Sequence, residues 1–193
     1  MIDLDYVAED LLEEDLWSFH WDLLNTKPPV NLKKQIECFL RDEGKGLILS
    51  GSQGVGKTHL LIGAYKVLGH YLPEGEEGVS IVAGRRGWSW LTAACRETFS
   101  SKAEISWENI LQKKASAVFF LLDDVSLNSA FEKQIFERIV EACYLTGSKM
   151  FITTNLAPEP LRTAISRHTF SRLAATTTVI QLTSEAGDYR NCV

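Results

Sequence analysis

Apolar runs alternate along this chain with segments whose apolar residues recur at helical spacing. Short apolar runs predict five β-strands, at 47–49, 79–83, 117–122, 150–153 and 178–182. Helices are predicted between and around them, at 31–41, 59–68, 88–99, 107–114 and 130–145. Strands that alternate with helices are typical of a parallel sheet with right-handed crossover connections. The pattern therefore predicts an α/β fold, a parallel sheet sandwiched by helices.

The turn after the first predicted strand carries a phosphate-binding loop pattern. Residues 51–58 read Gly-Ser-Gln-Gly-Val-Gly-Lys-Thr and match G-x-x-x-x-G-K-[ST] at every fixed position. Glycines let backbone N–H groups turn toward a phosphate, Lys57 can reach the β- and γ-phosphates, and the Thr58 hydroxyl can bind Mg²⁺. The phosphate would lie at a helix N-terminus. The sequence thus predicts an ATP and Mg²⁺ site formed by Gly51, Ser52, Gln53, Gly54, Val55, Gly56, Lys57, Thr58 and His59.

The third and fourth predicted strands are each followed by polar side chains. Asp123 and Asp124 come after the third strand, and Asn155 follows the fourth. A buried parallel strand delivers such groups to the sheet edge where ligands bind. We expect Asp123 to help hold Mg²⁺, and Asp124 and Asn155 to orient the attacking water. Ordinary turn chemistry is the alternative reading, because Asn and Asp are common after strands.

The net charge of −5 is unevenly distributed along the 193 residues. Residues 1–26 contain eight acidic and no basic residues, which leaves 17 acids and 20 bases, a net of +3, for the rest. Apolar residues recur near helical spacing in this leader, so it is either a solvated helix or an amphipathic element that binds a partner. We assign 1–43 to an acidic N-terminal helical segment and 44–193 to one ATP-binding domain.

Neither membrane association nor a metal-cysteine site is predicted. No apolar run approaches the length of a membrane span, and the N-terminus is acidic, which favours a cytoplasmic protein. The four cysteines lie far apart and form no C-x-x-C pair. Reduced thiols are therefore expected, without a disulfide framework or a zinc site.

Five motifs occur in a fixed order along the chain. They are the loop with its trailing His-Leu at 51–60, Leu-Leu-Asp-Asp at 121–124, Ile-Thr-Thr-Asn-Leu at 152–156, Ser-Arg-Leu at 171–173 and Gly-Asp-Tyr-Arg at 187–190. Taken together and in this order, they resemble the ATPase core of DnaC/IstB-type AAA+ proteins, a family that includes bacterial and phage replicative helicase loaders and transposition helper ATPases. The loop alone is generic, whereas the ordered set is more specific. The resemblance covers roughly residues 44–190.

The resemblance implies roles for further residues. Asp123 and Asp124 would form the acidic pair, and Asn155 would sense the γ-phosphate. Arg172 would be an arginine finger that acts on the nucleotide of a neighbouring subunit, and Arg190 would contact nucleotide as a second sensor. Only three residues follow Arg190, so the small C-terminal lid of many AAA+ proteins is expected to be reduced or absent.

The same resemblance implies an ATPase that works as a replicative helicase loader. A replicative DNA helicase is then the expected partner, single-stranded DNA is a further candidate, and the ATP site would be shared within a homo-oligomer or hetero-assembly. A transposition helper that binds DNA is the alternative within the family. A small-molecule phosphotransferase and a nucleotide-gated scaffold with little hydrolysis are the alternatives from other classes.

Overall fold

The computed structural model describes residues 32–74, 78–84, 87–98, 109, 111 and 114–182. Several predictions fall outside these residues: the acidic leader up to residue 31, most of the helix at 107–114, the motif at 187–190 with Arg190, and Cys192. The described helices and strands, in chain order, are α1 (Leu32–Leu40), β1 (Gly46–Gly51), α2 (Lys57–Tyr71), β2 (Val79–Val82), α3 (Trp88–Glu97), β3 (Phe119–Val125), α4 (Ala130–Thr146), β4 (Lys149–Thr154), α5 (Pro158–Ala164), α6 (Arg167–Thr176) and β5 (Thr177–Leu182).

The five strands form one sheet in the order β2-β3-β4-β1-β5, and every described pairing in it is parallel. The predicted α/β fold is therefore confirmed. Because β1, β4 and β3 are neighbours and run in the same direction, their carboxyl ends meet at one edge of the sheet. The loop after β1, the acidic pair of β3 and Asn155 after β4 are thereby brought to the same edge.

Both faces of the sheet are buried under helices. Successive side chains of a strand point to opposite faces. Phe119 and Leu121 accordingly pack with α1 and α2, whereas Phe120 and Leu122 pack with α3 and α4. The ring of Phe39 in α1 makes an edge contact with that of Phe119, with centroids 5.2 Å apart. Residues 32–40, which the sequence placed in the N-terminal segment, thus share the core of the sheet. Of the described helices, none is long and apolar enough to cross a membrane.

One strand boundary differs from the prediction in a way that affects the site. The apolar run predicted a strand that ends at Leu122, but β3 continues through both aspartates to Val125. Leu122 pairs with Ile152 and Val125 with Thr154, so β3 has one residue more than β4 in this interval. That extra residue makes a β-bulge, a distortion that redirects side chains. The hydrophobic pattern missed it because the two aspartates are polar.

A capping box fixes the start of α4, the helix that follows β3. The Ser129 hydroxyl accepts a hydrogen bond from the Glu132 N–H at 3.2 Å, and the Glu132 carboxylate accepts one from the Ser129 N–H at 3.0 Å. Each bond satisfies a backbone donor that the helix itself leaves unpaired. The chain between the acidic pair and α4 is thereby held in place.

We expect Ser129→Ala to lower the free energy of unfolding by about 1 kcal/mol, because it removes the acceptor for a helix N-terminal N–H group. Chemical denaturation measures the change. Asn128→Ala is the matched control, since the described contact of Asn128 to Glu132 uses its backbone N–H, which the substitution keeps. Equal stability of the two variants would contradict the capping role.

Candidate functional site

The loop between β1 and α2 adopts a turn that depends on glycine. Gly56, immediately before α2, has a φ of 86°, which is favourable for glycine and rare for other residues. A Cβ atom on Gly51 would lie 2.3 Å from the carbonyl oxygen of Leu182 in β5. The residue before α2 is a glycine and makes no side-chain cap to the helix, and the backbone N–H groups of a helix N-terminus attract anions. This is the backbone arrangement expected of a phosphate cradle.

The ammonium group of Lys57 lies at the base of this loop, and the residue is only 7% exposed. Its Nζ donates to the carbonyl oxygens of Gly51 at 2.8 Å and Ser52 at 2.6 Å. It also donates to Oδ1 of Asn155 at 2.8 Å. An ammonium has three N–H donors, and a buried charge is tolerated only when such donors are paired. Lys57 therefore joins the loop to the carboxyl end of β4.

Asp123 is buried and lies next to Thr58, which is exposed. Its Oδ1 accepts hydrogen bonds from the Thr58 hydroxyl at 3.0 Å and from the Thr153 hydroxyl at 2.6 Å. Burial raises the pKa of Asp123, while these two hydrogen bonds and the charge of Lys57 act in the opposite direction. Carboxylate and hydroxyl oxygens are ligands that Mg²⁺ accepts. Thr58 and Asp123 together form a suitable set for that ion.

Asp124 differs from its neighbour in both exposure and backbone. It is exposed, whereas Asp123 is 6% exposed. Its φ of 53° is in the left-handed region that Asp tolerates better than most residues, and it accompanies the β-bulge. Its carboxylate accepts a hydrogen bond from Nδ2 of Asn155 at 2.9 Å. Asn155 therefore contacts both Lys57 and Asp124 and links the cation to the exposed carboxylate.

A cleft of about 180 Å³ opens beside the acidic pair. Its other walls come from the residues between β2 and the first turn of α3, namely Gly84, Gly87, Trp88, Ser89 and Trp90. A cleft of this volume has room for several water molecules. Water can thus reach the carboxylates of the acidic pair from the side of α3.

The sequence identified most of the residues that meet here but missed Thr153. Its hydroxyl donates to Asp123 and accepts from the backbone N–H of Asp124 at 2.8 Å, so it fixes both aspartates. The sequence could have indicated Thr153 through the pair of threonines that ends the otherwise apolar run of β4. Of the predicted loop residues, Val55 differs from the rest because its side chain is fully buried in the core. Val55 can contribute only backbone groups to a ligand, and His59 is half-buried in the first turn of α2.

Arg172 is not brought into this cluster. It lies in α6, where its Nη1 is 3.1 Å from Oε1 of Glu141 and its guanidinium carbon is 5.2 Å from the centre of the Tyr144 ring. Both contacts are to α4. Arg190, the other predicted arginine, lies outside the described residues.

The parallel sheet and the loop between β1 and α2 define an α/β phosphate-loop fold. Among solved structures, the DnaC helicase loader is similar, with a TM-score of 0.68 and 18% identity over 91% of this chain and 100% of that chain. DnaI matches with a TM-score of 0.65 and 20% identity over 92% of this chain and 95% of its own. AMPPCP-bound DnaA from Aquifex aeolicus matches with a TM-score of 0.59 and 19% identity over 77% of this chain and 44% of its own.

These likenesses confirm, for the fold, the resemblance that the sequence motifs indicate. At such identities the shared property is the fold. No protein-family model matches the sequence, and no curated protein matches it.

We expect Asp123→Asn to raise the free energy of unfolding at neutral pH when nucleotide and metal are absent. The folded chain holds a proton on this carboxyl more readily than the unfolded chain does, so ionised Asp123 costs stability above its raised pKa. The gain should vanish as the pH falls below the usual aspartate range. An asparagine Oδ1 can still accept from both threonines.

Chemical denaturation across a pH series measures this difference. The matched control is Asp124→Asn, the same substitution at the neighbouring carboxylate, which is exposed and so carries no comparable burial cost. A loss of stability in Asp123→Asn at neutral pH would show that burial does not dominate the energetics of this group.

Proposed function

We propose that this chain is a DnaC/IstB-type AAA+ ATPase that binds ATP and Mg²⁺ and serves as a loader of a replicative DNA helicase. The observation that carries the proposal is the connected network at the loop. Lys57 is joined through Asn155 to Asp124, and Thr58 is bonded directly to Asp123. A phosphate cradle, a metal-binding pair and a water-orienting pair therefore lie at one edge of the sheet.

ATP binding would use the backbone of the loop and the ammonium of Lys57. The backbone N–H groups at the start of α2 would donate to phosphate oxygens, and Lys57 would exchange its carbonyl acceptors for phosphate. Thr58 and Asp123 are the residues that would hold Mg²⁺, which when bound neutralises phosphate charge. The residues present fit this ion because their oxygens already lie within hydrogen-bonding distance of each other.

Hydrolysis would depend on Asp124 and Asn155. Asp124 is the exposed member of the acidic pair and borders the cleft from which water can enter. Its hydrogen bond with Asn155 fixes the direction of the carboxylate. A fixed carboxylate next to a γ-phosphate can orient water for in-line attack. Asn155 would also sense the γ-phosphate, because its side chain accepts a hydrogen bond from Lys57.

Arg172 would complete the site of a neighbouring protomer. Its described contacts are on α4 rather than at its own loop. An arginine finger supplied in this way contributes about 10³- to 10⁵-fold in rate where it has been measured. A protomer by itself should therefore turn over slowly. Arg190 is proposed as the second sensor.

The proposed role in replication rests on the likeness to DnaC and DnaI over nearly the whole chain. Another similar structure is DnaA bound to AMPPCP and single-stranded DNA, at 20% identity and a TM-score of 0.59. We infer a replicative helicase as the partner, single-stranded DNA as a second ligand and the cytoplasm as the location. The acidic segment at 1–43 is the candidate contact for the helicase, and 44–193 is the ATP-binding domain.

We expect Lys57→Ala to abolish tight binding of ATP and Mg²⁺ while the fold remains intact. The reason is that Lys57 provides the side-chain cation of the cradle. Titration calorimetry measures the affinity, and circular dichroism checks the fold. Lys45→Ala is the matched control, because Lys45 is exposed and donates to the carbonyl of Ala174. Equal ATP affinity in the two variants would place the nucleotide site elsewhere.

We expect Asp124→Asn to bind ATP and Mg²⁺ normally but to hydrolyse it slowly, because an amide orients water less well than a carboxylate. Release of labelled phosphate measures turnover under conditions where the parent protein is active. The label also identifies the acceptor: free phosphate indicates an ATPase, and a phosphorylated metabolite indicates a phosphotransferase. Full activity of the variant would contradict the role given to Asp124.

A further inference from the structure

The guanidinium of Arg172 is held from two directions by side chains of α4. Glu141 forms an ion pair with its Nη1 at 3.1 Å, and the Tyr144 ring lies against its central carbon at 5.2 Å. The Arg172 side chain is only 18% exposed. Glu141 and Tyr144 are three residues apart in one helix, so they lie on the same face and contact the same group. Two side chains of α4 thus hold a single arginine of α6 in place.

These two contacts lower the entropy cost for Arg172 of binding a phosphate on a partner. A free arginine side chain loses rotamer entropy when it is fixed. Here the order is already established within the protomer. The ion pair engages one nitrogen of the guanidinium, which has five N–H donors in all. A guanidinium seated in this way can present its other donors to a phosphate without first losing side-chain freedom.

We propose that Glu141 and Tyr144 are positioning residues for the arginine finger. They hold Arg172 against α4 in the direction in which a second copy of this chain presents its nucleotide. They therefore set the rate of hydrolysis in the neighbouring protomer and leave ATP binding in their own protomer unaffected. This inference rests on the proposed shared ATP site.

The chain provides matched controls for both contacts. Arg138 also lies near the Glu141 carboxylate, at 3.6 Å, but its side chain is 56% exposed. Arg138→Ala thus removes a charge from the same carboxylate without removing the contact to Arg172. For the ring, Tyr144→Phe keeps the aromatic face that attracts the guanidinium, whereas Tyr144→Leu removes it.

The experiment mixes two inactive variants so that each supplies one half of the site. Lys57→Ala copies donate the finger, and Arg172→Ala copies donate the loop. The mixture should regain ATPase activity, because each copy has what the other lacks. An inactive mixture, with the parent protein active at concentrations where it is strictly monomeric, would overturn the shared site and this inference with it.

Glu141→Gln is then added to the finger-donating copy. We expect the maximal rate of the mixture to fall about tenfold to a hundredfold, because small misplacements of a catalytic group have effects of this size. The KM for ATP should not change, since the loop-donating copy is untouched. Tyr144→Leu in the same copy should lower the maximal rate similarly, whereas Tyr144→Phe should keep the rate of the unmodified mixture. Arg138→Ala should leave it unchanged.

Two results would overturn the positioning role while the shared site stands. One is an active mixture whose rate does not respond to Glu141→Gln or Tyr144→Leu in the finger-donating copy. The other is an equal loss when Glu141→Gln is placed in the loop-donating copy, where Arg172 is already absent. Thermal unfolding of each variant alone verifies that the α4 substitutions leave the protomer folded.

Discussion

The buried ammonium of Lys57 is the constraint on which the rest of the site depends. Lys57 is only 7% exposed, and a buried ammonium must have its N–H donors paired. Its acceptors come from the ends of two separate strands of the sheet. Gly51 and Ser52 supply carbonyls at the end of β1, and Asn155 supplies an amide after β4. The sheet order makes this possible because β1 and β4 are neighbours. The cation thus fixes the curvature of the loop and the position of the amide together.

The two aspartates receive different environments from one backbone irregularity. The β-bulge in β3 places Asp123 in the interior, where Thr58 and Thr153 donate to it, and leaves Asp124 exposed beside a cleft. Burial makes the ionised form of Asp123 costly, and a divalent cation would offset that cost. Without a cation, the ionised Asp123 therefore lowers the stability of the fold. Asp124 keeps access to water through this cleft.

The sequence predicts the features that depend on local patterns, but not those that depend on contacts between distant parts of the chain. The loop, the strands and the acidic pair follow from periodicity and a fixed motif. The β-bulge and Thr153 do not, since both depend on how β3 pairs with β4 across about 30 intervening positions. The contacts of Arg172 could not be predicted either, because they arise from the docking of α6 on α4. In each case the sequence does not show how elements distant along the chain pair or pack against each other.

The most direct test is a crystal structure with AMPPCP and Mg²⁺. We expect the phosphates to lie in the loop at 51–58 and the metal to contact oxygens of Thr58 and Asp123. The Nζ of Lys57 should leave the carbonyls of Gly51 and Ser52 and contact phosphate oxygens instead. An analogue bound elsewhere, or a Lys57 still bonded to both carbonyls with nucleotide present, would contradict the assignment of this loop as the ATP site.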